Sequence, residues 1–394
     1  MYKLEKKENS ICLADGFYAD GISAGLKPEN ALDMAFIYSD TLCDVASKFT
    51  TNKMTAAPIR HFRAKGEFQT NFILINSKNA NAMTSKAGIE DIDDILSSFT
   101  CNKEIINPIM SSTGVIGVRL PKEKIKQGLK KFDLSVKNPQ NAAKAIMTTD
   151  TYPKQSGYKV IFKDGSSFSV GAIAKGAGMI NPAMATMLCF ITTDADIPKA
   201  DMQEILDEIT PKTFNAISVD GDTSTNDTVI LLSNKKSKTY HKEAFKEALF
   251  KIMLELAKMM VKDGEGATKL VTYKISGAKD DKEAEIVAKA LSDSLLVKTA
   301  LYGEDPNWGR IASTVGASGV EACEESLKIS FDDICVYDRG YIYFDKEMEA
   351  KAAEVMKKDE FCISCDLGVA DGEFIAYGCD LGYEYVKINA DYRT

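Results

Sequence analysis

Thr186 is the residue of this 394-residue chain best suited to act as a nucleophile. It follows the small Ala185 and precedes a short apolar run, 187–191, where a loop passes into a buried strand. A threonine hydroxyl attacks poorly unless a base takes its proton. Only two histidines occur, His61 and His241, and neither has a triad-like context. The base that remains is the threonine's own α-amine, which exists only once the chain is cut between Ala185 and Thr186. A free α-amine titrates at roughly 7.7–8.0, suited to base work at neutral pH. The same hydroxyl can make the cut: it attacks the Ala185 carbonyl, an N→O acyl shift forms an ester, and water hydrolyses that ester. At this level the residue equally fits a threonine that merely opens a strand.

Other residues could serve such a nucleophile. Thr113 and Gly114 sit in a tight loop, 111–117, where a hydroxyl and a backbone amide can donate to an oxyanion. Losing one such donor typically costs about 2.7–4 kcal/mol of barrier. An ordinary tight turn has the same sequence. Lys175 could hold a substrate carboxylate as a point charge. The glycines after it, Gly176 and Gly178, lack the spacing and the Lys-Ser/Thr end of a phosphate loop. Glu265 lies between Gly264 and Gly266, either at a helix stop or in a loop held close to a ligand. The polar run 220–228 resembles a calcium loop in composition only; it lacks the required glutamate and reads as an active-site or structural loop. Cys362 and Cys365 have redox or zinc spacing, but no second pair matches them and their segment alternates like a strand. No metal site and no bound cofactor is expected.

The elements that must position these residues are mixed. Residues 241–261 carry Phe245, Leu249, Ile252, Leu256 and Met259 on one face, which predicts an amphipathic helix. Helices are also expected at 121–132, 141–147, 199–209, 282–297 and near 347–357. Strands are expected at 11–14, 17–19, 32–37, 72–76, 214–219 and 229–232. A hairpin over 158–162 and 167–173 turns at Asp164-Gly165. This is a layered α/β or α+β pattern without the regular alternation of a doubly wound sheet. Hydrophobic residues make up 45% and charged residues 27%, with net charge −8, which argues against a nucleic-acid or anionic-membrane surface. No apolar run is long enough to span a bilayer, and the first residues carry no hydrophobic segment of signal-peptide type. Nine cysteines, an odd number in a long chain, fit a reducing compartment. A cytoplasmic location is the expectation.

Taken together, the motifs resemble the glutamate N-acetyltransferase (ornithine acetyltransferase) family of arginine biosynthesis. The resemblance rests on Phe49-Thr50-Thr51-Asn52, Ser112-Thr113-Gly114, Thr148-Thr149-Asp150-Thr151, Lys175-Gly176-Ala177-Gly178, Ala185-Thr186-Met187-Leu188, and the blocks 220–228, 263–269, 305–310 and 388–394, all in order. It implies self-cleavage before Thr186 into an α chain, 1–185, and a β chain, 186–394, which stay together as an α2β2 heterotetramer. It implies Thr186 as nucleophile, Thr113 and Gly114 as oxyanion hole, and substrate contacts at a threonine of the 148–151 loop, with Thr151 favoured, and at Lys175, Thr186, Glu265, Asn389 and Thr394. The implied fold is an α/β sandwich of paired domains, shared with self-processing aminopeptidases. The implied reaction moves an acetyl group from N2-acetylornithine to glutamate, and some members also take acetyl-CoA as donor. Two other readings compete. One is a self-processed N-terminal-nucleophile peptidase or amidase, in which water resolves the acyl-enzyme. The other is an uncleaved small-molecule-binding protein.

Overall fold

The helical periodicity of the chain's middle is realised as one long helix, Lys242–Lys262, that packs on strands of two β-sheets. This computed structural model describes residues 1–181 and 187–391. The helix buries Phe245, Leu249, Ile252, Met253, Leu256 and Met260. It starts at His241, whose ring nitrogen accepts the Ala244 amide as an N-cap. His241 is therefore structural. Met259, expected on the buried stripe, is only partly covered, and Met253 and Met260 fill that face.

The first sheet has nine strands. From one edge the order is Tyr2–Lys6, Lys154–Phe162, Ser167–Lys175, Leu188–Thr193, Thr228–Ser233, Met34–Phe49, Thr70–Asn76 and Ile109–Ser112. Phe17–Ile22 pairs with the first part of the long strand Met34–Phe49. Three of the inner strands, Leu188–Thr193, Thr228–Ser233 and Thr70–Asn76, are buried at every position. Elements cover both faces of these strands, so they read as continuous apolar runs rather than alternating ones. The second sheet has seven strands, in the order Tyr341–Ile342, Ile334–Asp338, Lys328–Phe331, Glu360–Asp366, Leu270–Ala278, Gly372–Cys379 and Ile217–Ser218. Helices Asp281–Asp293, Trp308–Ala317 and Lys346–Met356 share its core. The architecture is the expected mixed, layered α/β.

One pairing bears directly on the site. Strand Ser167–Lys175 runs antiparallel to Leu188–Thr193, with Lys175 opposite Leu188. Strands from both sides of the 185/186 junction therefore share one sheet. The junction divides the chain but not the layers.

Several elements differ from the sequence reading. Residues 11–14 are not a strand; Ser10–Cys12 is a buried 3-10 turn. The strand expected over 214–219 shrinks to Ile217–Ser218, preceded by the 3-10 turn Phe214–Ala216. The helix expected over 282–297 is two helices, Asp281–Asp293 and Leu295–Tyr302. Ser294 separates them with extended backbone, and its hydroxyl caps the second. Helices Ala57–Ala64, Ser85–Ser97, Trp308–Ala317 and Tyr383–Asp391 were not expected. Trp308–Ala317 begins at Asn307, whose side chain accepts the Arg310 amide.

Candidate active site

The loop after strand Ile109–Ser112 is held open by its own backbone. The Thr113 amide donates to the Asn76 carbonyl at 3.0 Å, and Val115 donates to Lys78 at 3.1 Å. Gly114 between them has φ +129°, and a Cβ there would lie 2.2 Å from the Lys78 carbonyl carbon. Only glycine fits. Among the described residues no backbone carbonyl accepts the Gly114 amide. Thr113 is buried, and both residues line a cleft with an empty volume of about 590 Å³.

Asn226 fixes this turn from the other side. Its side-chain nitrogen donates to the carbonyls of Ala80, at 2.7 Å, and Ser112, at 2.8 Å. Part of the polar run 220–228 thus borders the cleft. Ser224, Thr225 and Asn226 line the cleft, and no cluster of metal-ligating side chains occurs among the described residues. Cys362 and Cys365 lie in strand Glu360–Asp366, away from the cleft.

Lys175 ends strand Ser167–Lys175, is 2% exposed and lines the same cleft. Burial pushes its ammonium below the usual lysine range. The Asp150 carboxylate opposes that, Lys154 adds to it, and Asp227 and Glu265 oppose it further. Asp150 itself is engaged elsewhere. It accepts Lys154 Nζ at 2.6 Å, the Gly176 amide at 2.7 Å and the Thr148 amide at 3.0 Å. Burial pushes the Asp150 carboxyl up, but the charges of Lys154 and Lys175 overcome this and hold it near 2. Lys154 also reaches Asp263 at 2.5 Å, so one fully buried ammonium bridges two buried carboxylates.

Thr151 belongs to this network rather than to the cleft wall. Its amide and hydroxyl both donate to Asp263. From the same loop, Thr148 and Thr149 line the cleft. Across from them, Glu265 is held by its amide, which donates to the Ala177 carbonyl at 2.9 Å, and by its Oε2, which accepts Asn389 Nδ2 at 2.7 Å. A Cβ on Gly178 would stand 2.5 Å from the Glu265 carboxyl carbon, so the glycine lets the carboxylate come close. Asn389 comes from helix Tyr383–Asp391 and lines the cleft.

The structure therefore brings Thr113, Gly114, Lys175, Glu265 and Asn389 to one cleft. Ala185, Thr186 and Thr394 lie outside the described residues. The chain flanking 182–186 is gripped at both ends by the 220–228 loop. Asp220 accepts the Met179 and Ile180 amides at 2.6 and 2.8 Å, and Asp227 accepts the Met187 amide at 3.1 Å. Sequence reading flagged this loop as an active-site or structural loop without assigning its residues; the contacts of Asp220, Asn226 and Asp227 come from tertiary structure. His61 contacts Asp93 at 3.1 Å, and neither histidine lines the cleft.

A two-sheet α/β frame holding a cleft of threonine hydroxyls, a bare glycine amide, a buried lysine and a buried glutamate defines a layered α/β protein with a built small-molecule site. The family model that residues 18–394 match is the ArgJ family, and the chain belongs to that family. It is 59% identical to the arginine biosynthesis bifunctional protein ArgJ of Wolinella succinogenes, over 100% of both chains. It is 43% identical to the glutamate N-acetyltransferase of Methanocaldococcus jannaschii, over 98% of this chain and 99% of that one. A solved structure of the arginine biosynthesis bifunctional protein ArgJ from Bacillus halodurans is 41% identical, covers 51% of this chain and 97% of that chain, and gives a TM-score of 0.48.

Proposed function

We propose that this protein cuts itself between Ala185 and Thr186, and that Thr186 then carries an acetyl group from N2-acetylornithine to glutamate in arginine biosynthesis. The names of the Wolinella and Methanocaldococcus relatives support this reading. The observation that carries it is the cleft where Thr113, Gly114, Lys175 and Glu265 converge beside the strand that starts at Leu188.

In the first half-reaction the Thr186 hydroxyl attacks the acetyl carbonyl while its α-amine takes the proton. The Thr113 hydroxyl and Gly114 amide donate to the developing oxyanion. Ornithine leaves with the returned proton, and an acetyl-threonine ester remains. The glutamate amine then attacks the ester, passes through the same oxyanion site and departs as N-acetylglutamate. Both amino acids carry an α-carboxylate, which suits the Lys175 ammonium. The Glu265 carboxylate, steadied by Asn389, suits the ornithine side-chain ammonium. Thr394 completes the substrate contacts in this reading, and Thr148 and Thr149, which line the cleft, take the place expected of Thr151. The chemistry needs no metal and no bound cofactor. Acetyl-CoA serves as an alternative acetyl donor to the same threonine.

After the cut, residues 1–185 and 186–394 remain one unit and assemble as an α2β2 heterotetramer in the cytoplasm. Among the described residues no helix is long and apolar enough to cross a membrane.

The test is to incubate the protein with N2-acetylornithine, with and without glutamate. N-acetylglutamate formed only when both are present supports the transferase. Acetate released without N-acetylglutamate would make the protein a hydrolase. Thr186→Ala abolishes both self-cleavage and turnover.

A further inference from the structure

An acyl carbon under attack carries three groups that the cleft must place. Its oxygen turns to the oxyanion donors, its nitrogen belongs to the amino acid, and its alkyl chain takes the remaining side. The first alkyl carbon lies about 2.4 Å from the carbonyl oxygen at ordinary bond lengths. Oxyanion donors stand roughly 2.7–3.1 Å from that oxygen. With the oxygen held by Thr113 and Gly114, the alkyl carbon falls within roughly 6 Å of those donors. The side chains bordering the 113–114 turn therefore meet the acyl chain.

The cleft is mostly lined by polar side chains. Among the described residues that line it, Ala80, Ile116 and Met179 are the apolar ones. Two of these three belong to the framework of the turn itself. The Ala80 amide donates to the Val115 carbonyl at 3.0 Å, and the Gly117 amide to the Ala82 carbonyl at 3.0 Å. Ile116 thus stands between two residues whose backbones are tied to the 78–82 segment. Its half-buried side chain packs on the cluster of Ala56, Ala80 and Ala82, each at most 2% exposed. Ala80 is fixed from the other side, where its carbonyl accepts Asn226 Nδ2 at 2.7 Å. Ala80 and Ile116 make one rigid apolar wall beside the turn. Met179 belongs to the charged end of the cleft. Its amide donates to Asp220, and its neighbour Gly178 stands against the Glu265 carboxylate.

We propose that Ala80 and Ile116 form the acyl-chain pocket of this enzyme and restrict it to an acetyl group. This rests on the acetyl-transfer reading above and names the residues that choose the acyl group. The wall takes the methyl group out of water, while Lys175 and Glu265 draw the charged amino acid to the polar part of the cleft. A longer chain meets the Ile116 side chain, whose backbone is held on both sides and does not give way. One methylene in a hydrophobic pocket is typically discriminated by about 10- to 200-fold.

The test compares N2-acetylornithine with N2-propionylornithine as donors and glutamate as acceptor, with each N-acylglutamate followed by chromatography. The native protein should favour acetyl in kcat/KM by about tenfold or more. Ile116→Ala should raise the propionyl-to-acetyl ratio by about tenfold or more, and Ile116→Val should raise it by a smaller factor. Met179→Ala should leave the ratio unchanged. The ratio does not depend on the fraction of protein that is folded, so a merely structural role for Ile116 would not move it. Should Ile116→Ala yield no folded protein, Ile116→Val decides. An unchanged ratio in the Ile116 variants, or a ratio moved by Met179→Ala instead, would overturn the proposal and leave the transferase reading standing. A native protein that makes neither N-acylglutamate would instead overturn the transferase reading itself.

Discussion

Gly114 shows most plainly how single residues build this site. Its φ and the 2.2 Å approach to the Lys78 carbonyl carbon leave no room for a side chain. Gly114→Ala should therefore misplace the Thr113 turn and lower kcat more than removal of the Thr113 hydroxyl does. In the proposed reaction Thr113→Val takes away one oxyanion donor, so kcat should fall about 100- to 1000-fold with little change in KM. Steady-state kinetics on the two variants separates these outcomes. Lys175→Met should act in the opposite way. In the proposed reaction it removes the charge offered to a substrate carboxylate, so KM for both amino-acid substrates should rise more than kcat falls. The Lys175 ammonium is pushed down by burial, so its charge, and the affinity that depends on it, should be lost with rising pH before that of an exposed lysine.

At the scale of elements, the buried bridge of Lys154 ties the threonine loop 148–151 to the end of helix Lys242–Lys262 through Asp150 and Asp263. Lys154→Met would strand two carboxylates in the interior. It should destabilise the fold by about 3–5 kcal/mol, seen as a lower midpoint in urea. The pH dependence has a definite sign. Asp150 titrates near 2 in the folded protein against 3.8 ordinarily. Its contribution is full above about pH 4 and is lost as pH falls toward 2. Denaturation midpoints measured across that window should drop, and less steeply in Asp150→Asn.

The same scale shows what was legible in the sequence. Lys199–Ile209 and Lys242–Lys262 carry strong 3.6-residue patterns, and the hairpin of Lys154–Phe162 and Ser167–Lys175 carries its Asp-Gly turn. These elements were readable because local pattern and tertiary burial agree. Residues 11–14 read as a strand because they form a short apolar run, yet such a run alone does not choose between the turn found at Ser10–Cys12 and a strand. Helix Tyr383–Asp391 went unread because its apolar residues, Tyr383, Tyr385, Val386 and Ile388, are spread around it rather than gathered on one face, and Tyr383 and Val386 are exposed. In the site, Thr113, Gly114, Lys175 and Glu265 were visible as residue types in suggestive loops. The Thr151–Asp263 bond and the contacts of Asn226 and Asp227 were not visible, because each depends on partners about 40 to 150 positions away.

For the whole molecule, the decisive feature is that the first sheet crosses the proposed cut. Strands Ser167–Lys175 and Leu188–Thr193 remain hydrogen-bonded neighbours whichever side of residue 185 they belong to. Strand Thr228–Ser233 pairs with Met34–Phe49 as well. Cleavage should therefore leave one particle: the two pieces should co-elute in native gel filtration and part only in denaturant. Glu265 and Asn389 from one piece face Thr113, Gly114 and Lys175 from the other, so neither piece alone should turn over substrate. The central claim is that Thr186 becomes a free N-terminal residue and carries the acetyl group. Mass spectrometry of protein quenched in acid after mixing with N2-acetylornithine alone tests it most directly. The account predicts a second chain beginning at Thr186 and bearing one acetyl group, which glutamate removes. A single unbroken chain that still makes N-acetylglutamate, or an acetyl group on another residue that glutamate discharges, would contradict it.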